Sequence, residues 1–275
     1  MSFVTEPRVE MIGKPIIEID GIMKFLDEHG YEWKEFEDNI KSMMSLGDND
    51  GEWLVEFNGR MCYQSWPKKG ETAKGRCHDD HVKNLIESFH GACLEHATFN
   101  FAIWNVSRSL THELVRHRIG VGYSQLSQRY VDSSNVSFII PPAIQELAEA
   151  DPDAYREWTE HCERSKQLYE ELTSKLSDMY ADISSKLERR KKARQAARSV
   201  LPNATETKIG VTMNARAVRH LIELRANPAA DVEIRKLAVK VFRILQDKAP
   251  LFVHGMKEVV LDDGTKGIES IYRRA

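Results

Sequence analysis

The chain has 275 residues, 41% of them hydrophobic and 29% charged, with a formal net charge of −3. That length suits one large domain or two small ones with a substantial core. The near-neutral balance excludes whole-molecule attraction to nucleic acid or to membrane surfaces, so any polyanion binding must be local.

Residues 1–60 mix short apolar runs such as "PIIEI" with the polar turn "LGDNDGEW". Residues 80–90 read as a helix with Val82, Leu85, Ile86 and Phe89 on one face. "ATFNFAIWNV" alternates apolar and polar side chains and predicts a half-buried strand. Ser107 or Ser109 is placed to cap a helix running to about Arg118. "VSFIIPP" predicts a strand stopped by Pro141 and Pro142. An apolar stripe at steps of three and four then runs from Tyr155 through Cys162, Tyr169 and Met179 to Leu187. It continues into the basic helix end "RRKKARQAARSVLPN". A strand "TKIGVTM", the helix "ARAVRHLIELRA" and the helix "DVEIRKLAVKVFRILQDK" follow. The polar tail from Met256, residues 256–275, is expected at the periphery. Strands and helices interleave without a βαβ rhythm, which predicts an α+β fold with an antiparallel sheet flanked by helices, in a single domain.

No apolar run approaches the ~20 residues needed to span a bilayer. "MSFVTEPRVE" lacks the cationic and apolar regions of a secretory signal. Cys62, Cys77, Cys93 and Cys162 are few and irregularly spaced, so reduced thiols in a cytoplasmic protein are expected.

The stretch "RHRIGVGYSQLSQRY" gathers Arg116, His117, Arg118 and Arg129 around Gly120, Gly122, Ser124 and Ser127. A core does not require that mixture; an anionic ligand does. Glycine-rich phosphate loops are absent, so cationic side chains must do the binding. Lys191, Arg194 and Arg198 share one helix face at i, i+3 and i+7. On composition alone a solvated helix end complementing the dipole is the favoured reading, but Ala193, Ala196 and Ala197 leave room for close approach and make a phosphate clamp credible. Arg216, His220 and Arg225 form a third cationic group, and clustered like charges repel unless an anion compensates. His90, Cys93 and His96 are three apart, but Gly91 interrupts the helix and no Cys-x-x-Cys completes a zinc set, so no metal is expected. Ser124 and Ser127 lie in no G-x-S-x-G elbow, and Cys62 has no histidine beside it in sequence, so no nucleophile is expected.

These segments resemble the flavin-dependent thymidylate synthases, whose signature is Arg-His-Arg, seven residues, then Ser, with Arg-Tyr shortly after. "RHR" at 116–118 and "SQRY" at 127–130 carry it. "HGACLEH" at 90–96, "SRSLTHELVRHR" at 107–118, "RQAARSVLPNATET" at 194–207 and "NARAVRHLIELRA" at 214–226 extend it over roughly residues 60–250. The resemblance implies conversion of dUMP to dTMP, with 5,10-methylenetetrahydrofolate as carbon donor, FAD as redox carrier and NADPH as reductant. It also implies a homotetramer with shared active sites. Carried over by position, His90, Ala92, Arg116, His117, Arg118, Gln125, Asn214, Arg216 and His220 would contact FAD. Arg108, Glu113, Arg116, Gln125, Leu126, Ser127, Gln128, Arg129, Lys191, Arg194, Arg198 and Arg225 would contact dUMP. Ser127 and Arg129 would meet its phosphate, and Arg225 would favour ionisation at N3 of the uracil. The chain departs from the pattern in three ways: eight residues separate Arg118 from Ser127, Gln125 stands where many members have Glu, and Ala92 replaces a small hydroxyl residue. On the residues alone, a non-catalytic nucleotide- or flavin-binding protein remains open, as does a nucleic-acid module with a steep salt dependence.

Overall fold

A computed structural model describes residues 2–42, 50–71 and 76–272. Residues 46–49 of the expected polar turn lie outside the described residues. In chain order the elements are β1 (Phe3–Val4), β2 (Arg8–Gly13), α1 (Ile19–Glu28), α2 (Lys34–Ser42), α3 (Asp50–Tyr63), α4 (His78–Glu87) and α5 (Gly91–Leu94). There follow β3 (Thr98–Ser107), α6 (Arg108–Leu114), β4 (Val121–Gln125), β5 (Phe138–Ile139), α7 (Pro142–Ala150), α8 (Pro152–Met179) and α9 (Lys186–Ala197). The last are β6 (Glu206–Asn214), α10 (Ala215–Arg225), α11 (Val232–Lys248), β7 (Met256–Val260) and β8 (Lys266–Ser270).

The main sheet has the order β2-β3-β6-β4, and every neighbouring pair is antiparallel. The expected α+β fold with an antiparallel sheet is therefore found. Alternation decides which face is covered. Phe99, Phe101 and Ile103 of β3 and Ile209, Val211 and Met213 of β6 are buried in the main core with Val218, Leu221 and Ile222 of α10 and Leu237, Val241 and Phe242 of α11. Phe101 pairs with Val211 and Ile103 with Ile209, so the two central strands present one continuous apolar face. A second, aromatic core joins Leu26, Trp33, Phe36, Trp53, Phe57 and Trp66 near the N-terminus.

Several expected elements differ in extent. The 80–90 helix ends at Glu87, because Phe89 takes a left-handed φ of 58° and turns outward, 45% exposed. The 107–118 helix ends at Leu114. The "VSFIIPP" strand contracts to Phe138–Ile139, paired in parallel with β1. The long apolar stripe divides: α8 stops at Met179, and Ser185 starts α9 by accepting from the Glu188 N–H at 3.4 Å. Ser-x-x-Glu is a helix-start signal that overrides the periodicity across it. Met179 and Leu187, expected on the buried stripe, are exposed as a result. Arg198 is the C-cap of α9, in helical conformation with its N–H donating to the Arg194 carbonyl, and it opens a 3-10 turn that ends the helix. The tail from Met256 is not peripheral. It forms the β7–β8 hairpin, and Ile268 enters the main core.

Candidate active site

Two helices that open at the ends of sheet strands build the site. Ser107 caps α6, its Oγ accepting from the Leu110 N–H at 2.9 Å, and buried Glu233 accepts from both the Ser107 N–H (2.8 Å) and its hydroxyl (2.7 Å). A side-chain oxygen of this kind satisfies a helix N–H that otherwise lacks a partner. Asn214 caps α10 in the same way, with Oδ1 accepting from the Ala217 N–H at 2.8 Å. The turn after α6 returns through Gly120, whose φ is +69° and whose hydrogen faces the Asn214 side chain; a Cβ there would collide with it. Only glycine suits both demands. The Tyr123 hydroxyl lies 2.6 Å from the carbonyl oxygens of Leu114 and His117, pinning the end of α6 and the Arg-His-Arg turn to β4.

Between that turn and α10 lies a cavity of about 590 Å³. Arg116, His117 and Arg118 line one wall, and Asn214, Arg216, His220 and Arg225 the other. Ile119, 85% exposed, and Leu224, 50% exposed, give it an apolar rim. Arg225 is locked in place. Its Nη1 donates to Glu113 Oε2 at 2.8 Å, its Nη2 to the Glu113 carbonyl at 3.2 Å, and its Nε to His117 Nε2 at 3.0 Å. Because Nε2 accepts, the proton of neutral His117 sits on Nδ1. Burial, then the charge of Arg225, lowers the His117 pKa to about 4, so the ring is neutral at physiological pH. His220, whose ring centroid is 5.5 Å away, is also shifted down by burial and then by Arg216 and Arg225. Arg216 pairs with Glu95 at 2.6 Å and packs against Gly91.

Further buried donors lie in the loop after β4 and at the start of α6. Gln128 is 5% exposed, and Gln128 Nε2, Arg129 Nε and Arg108 Nη1 are buried without a hydrogen-bond partner among the described residues. Burial, and then the like charge of Arg198, holds Arg108 below the usual arginine range. Buried donors without acceptors are costly, and neighbouring guanidinium groups repel, so this arrangement suits an incoming anion. Ser127 Oγ accepts weakly from the Arg129 N–H at 3.4 Å.

The structure thus brings Arg116, His117, Arg118, Asn214, Arg216, His220 and Arg225 around one cavity, with Glu113 bonded to Arg225. Other expected residues are engaged elsewhere. Gln125 Nε2 donates to the hydroxyls of Thr111 (3.1 Å) and Thr207 (3.3 Å), and the Leu126 N–H bonds the Lys208 carbonyl. Arg194 donates to the Tyr130 carbonyl (2.8 Å) and to Asp132 (2.6 Å), bracing the signature loop from behind. Lys191 lies over the Tyr130 ring, 5.3 Å from its centroid. His90 Nδ1 is 3.2 Å from the Tyr63 hydroxyl, and Ala92 is exposed on α5. Sequence reasoning missed Tyr63, Glu95 and Tyr123. Glu95 stands inside "HGACLEH" and Tyr63 directly follows Cys62, so both were within reach; the role of Tyr123 depends on the tertiary return of β4.

The thymidylate synthase complementing protein family, Thy1, matches residues 44–251. The flavin-dependent thymidylate synthase of Mycobacterium avium is 46% identical over 222 residues, covering 81% of this chain and 86% of that protein. The same name, identity and coverage apply to the protein of Mycolicibacterium vanbaalenii. That of Mycobacterium tuberculosis is 45% identical over 216 residues, 78% of this chain and 84% of its own. With its antiparallel sheet and its cation-lined cavity, the chain belongs to the Thy1 family of flavin-dependent thymidylate synthases.

Proposed function

We propose that the cavity between α10 and the 116–119 turn is where this chain carries out the flavin-dependent methylation of dUMP to dTMP. One observation carries the reading: Arg225, a permanent cation, is fixed by three hydrogen bonds at the wall of a large cavity lined by other cations.

The residues fit a flavin dinucleotide. Arg116, Arg118 and Arg216 offer planar forks for its pyrophosphate, Asn214 and His220 offer polar edges, and Ile119 and Leu224 offer apolar surface for a flat ring. His117, His90, Ala92 and Gln125 complete the set assigned to FAD. Bound flavin supplies hydride, which no side chain provides, with NADPH as the reductant and 5,10-methylenetetrahydrofolate as carbon donor.

The protein contributes positioning and charge. Carbon C5 of uracil is a poor nucleophile until negative charge enters the ring. Arg225 beside N3 and the C2 carbonyl stabilises that charge where it develops. His117 stays neutral and accepts from Arg225, which directs the guanidinium without adding a second cation. Glu113 holds its other edge and flanks the nucleotide. Ser127, Gln128 and Arg129, with Arg108 and Arg198, receive the dUMP phosphate, and the unpartnered donors of Gln128, Arg129 and Arg108 support that fit. Gln125 and Leu126 shape the loop, and Lys191 and Arg194 back it.

The phosphate loop and Arg225 of any one site come from different copies in a homotetramer, each chain acting as one domain in the cytoplasm. No helix among the described residues is long and apolar enough to cross a membrane.

Purified protein should show a flavin absorbance spectrum, oxidise NADPH faster when dUMP is added, and yield dTMP. Colourless protein that takes up no added FAD contradicts the reading.

A further inference from the structure

The C-terminal hairpin lies beyond the stretch matched by the family, yet it is joined to the end of α10, where Arg225 stands. Arg225 is the last residue of that helix and Ala226 is its C-cap. A helix end leaves carbonyl groups without intrahelical partners. Here the Ala226 carbonyl accepts from the Ile268 N–H of β8 at 3.0 Å. The approach is so close that a Cβ on Gly267 would sit 2.9 Å from that same oxygen. Ala226 is fully buried and Ile268 is 4% exposed, so the junction is dry.

A buried arginine ties the other end of the hairpin to the chain just after α10. Arg235 of α11 is 3% exposed. Its Nη1 donates to Asp263 (2.5 Å) and Thr265 (2.7 Å) in the β7–β8 turn, and its Nη2 to the carbonyls of Pro228 (2.8 Å) and Ala230 (2.9 Å). Further up α10, the Ser270 hydroxyl lies 3.2 Å from Glu223. The backbone of α10 is therefore clamped at its C-terminus by β8 and, through Arg235, by the hairpin turn. The guanidinium of Arg225 is held from the opposite side by Glu113 and His117.

We infer that the 256–270 hairpin is a positioning device for catalysis: Gly267, Ile268 and Arg235 set where α10 ends and so where Arg225 presents its charge. The inference rests on the proposed role of Arg225 at the uracil. A Cβ at Gly267 would also sit 2.9 Å from Leu261 of the same hairpin, but that flexible side chain can shift, whereas the Ala226 carbonyl is backbone at the end of α10 and cannot give without moving the helix end. A small displacement there matters, because errors of about 1 Å in a reacting constellation can cost about 100-fold in rate.

The test compares Gly267→Ala, Asp263→Asn and Arg225→Lys with wild type as flavin-loaded enzyme, using Trp33→Phe in the aromatic core as a stability control. Flavin content, kcat for dTMP, and the pH profile of kcat/KM for dUMP are measured. Gly267→Ala is expected to keep its flavin, to lose about 10- to 100-fold in kcat, and to move the rising limb of the profile to higher pH. That direction follows because a misplaced Arg225 favours N3 ionisation less. Asp263→Asn, on the exposed turn, should move the limb the same way by less, and it stands in if Gly267→Ala does not fold. Trp33→Phe should lower thermal stability and leave the limb in place. Wild-type kcat and profile in both hairpin variants would overturn the inference, as would a rate loss with the limb unmoved. If Arg225→Lys itself leaves the limb unmoved, the assignment of Arg225 fails, whatever the hairpin variants do.

Discussion

Arg225 and Arg129 carry the same guanidinium group in opposite circumstances. Arg225 donates to Glu113 twice and to His117 once, so its position is set before any ligand arrives. Arg129 keeps a buried Nε without a partner among the described residues, as do Nε2 of the adjacent Gln128 and Nη1 of Arg108 on α6. The first region is pre-organised, as a group must be if it stabilises charge that appears only during reaction. The second has buried donors without acceptors, which the proposed reading fills with the phosphate of the substrate. The contrast separates the uracil end of the proposed site from its phosphate end: one acts on the barrier, the other on binding.

The largest effect is expected at the pre-organised end. Arg225→Ala should lower kcat for dTMP by roughly 100- to 1,000-fold, the ~2.7–4 kcal/mol typical of losing one such donor, and should keep its flavin spectrum. Near-normal turnover in that variant would break the contrast. Next in size is a test of whether the two ends come from different copies. Arg129→Ala and Arg225→Ala subunits, each strongly impaired alone at low dUMP, should on exchange recover wild-type function in roughly a quarter of sites, the random-pairing expectation for a symmetric oligomer. No recovery, with subunit exchange verified by mass, would place both residues of a site on one chain.

A smaller effect concerns His117. Its pKa is about 4 in the fold against an ordinary 6.5, so the unfolded chain binds more protons between those values. The stabilising contribution of the neutral ring is complete above about pH 6.5 and is lost as pH falls toward 4. Acidification from pH 7 to pH 5 should therefore cost wild type up to about 2 kcal/mol through this residue. His117→Gln keeps an acceptor for Arg225 and should show a smaller drop in Tm over that interval. His81, also lowered to about 4, and Glu52, raised to about 7 with the opposite sign, are common to both proteins and cancel. An equal drop in both would contradict the buried neutral assignment.

How far the sequence could be read depended on whether the signal was local. β3, β6, α10 and α11 were legible because period and cap agree: Phe99, Phe101 and Ile103 alternate, and Asn214 and Asp231 stand where helix starts need them. The break between α8 and α9 was hidden, because the apolar stripe continues across Ser185 and its capping oxygen outweighs that stripe. The hairpin had a readable Asp-Gly turn signal at Asp263–Gly264. Its polar composition pointed to the surface, but Ile268 enters the core and Met256 and Tyr272 pack against it, so the hairpin docks there. For the site, the cationic residues and their grouping were visible. The bonds that divide them into fixed and waiting sets were not, since Arg225 meets Glu113 across 112 positions of chain.

The most direct test is a binding cycle on the flavin-loaded protein. Calorimetry compares dUMP with deoxyuridine, which lacks only the phosphate, in wild type, Arg129→Ala and Arg225→Ala. The account predicts that wild type prefers dUMP strongly. Arg129→Ala should lose about 10- to 100-fold of that preference, the range for a charged hydrogen bond of ~1.5–3 kcal/mol, while Arg225→Ala keeps it. If Arg225→Ala erases the preference and Arg129→Ala preserves it, the fixed and waiting ends have been assigned the wrong way round.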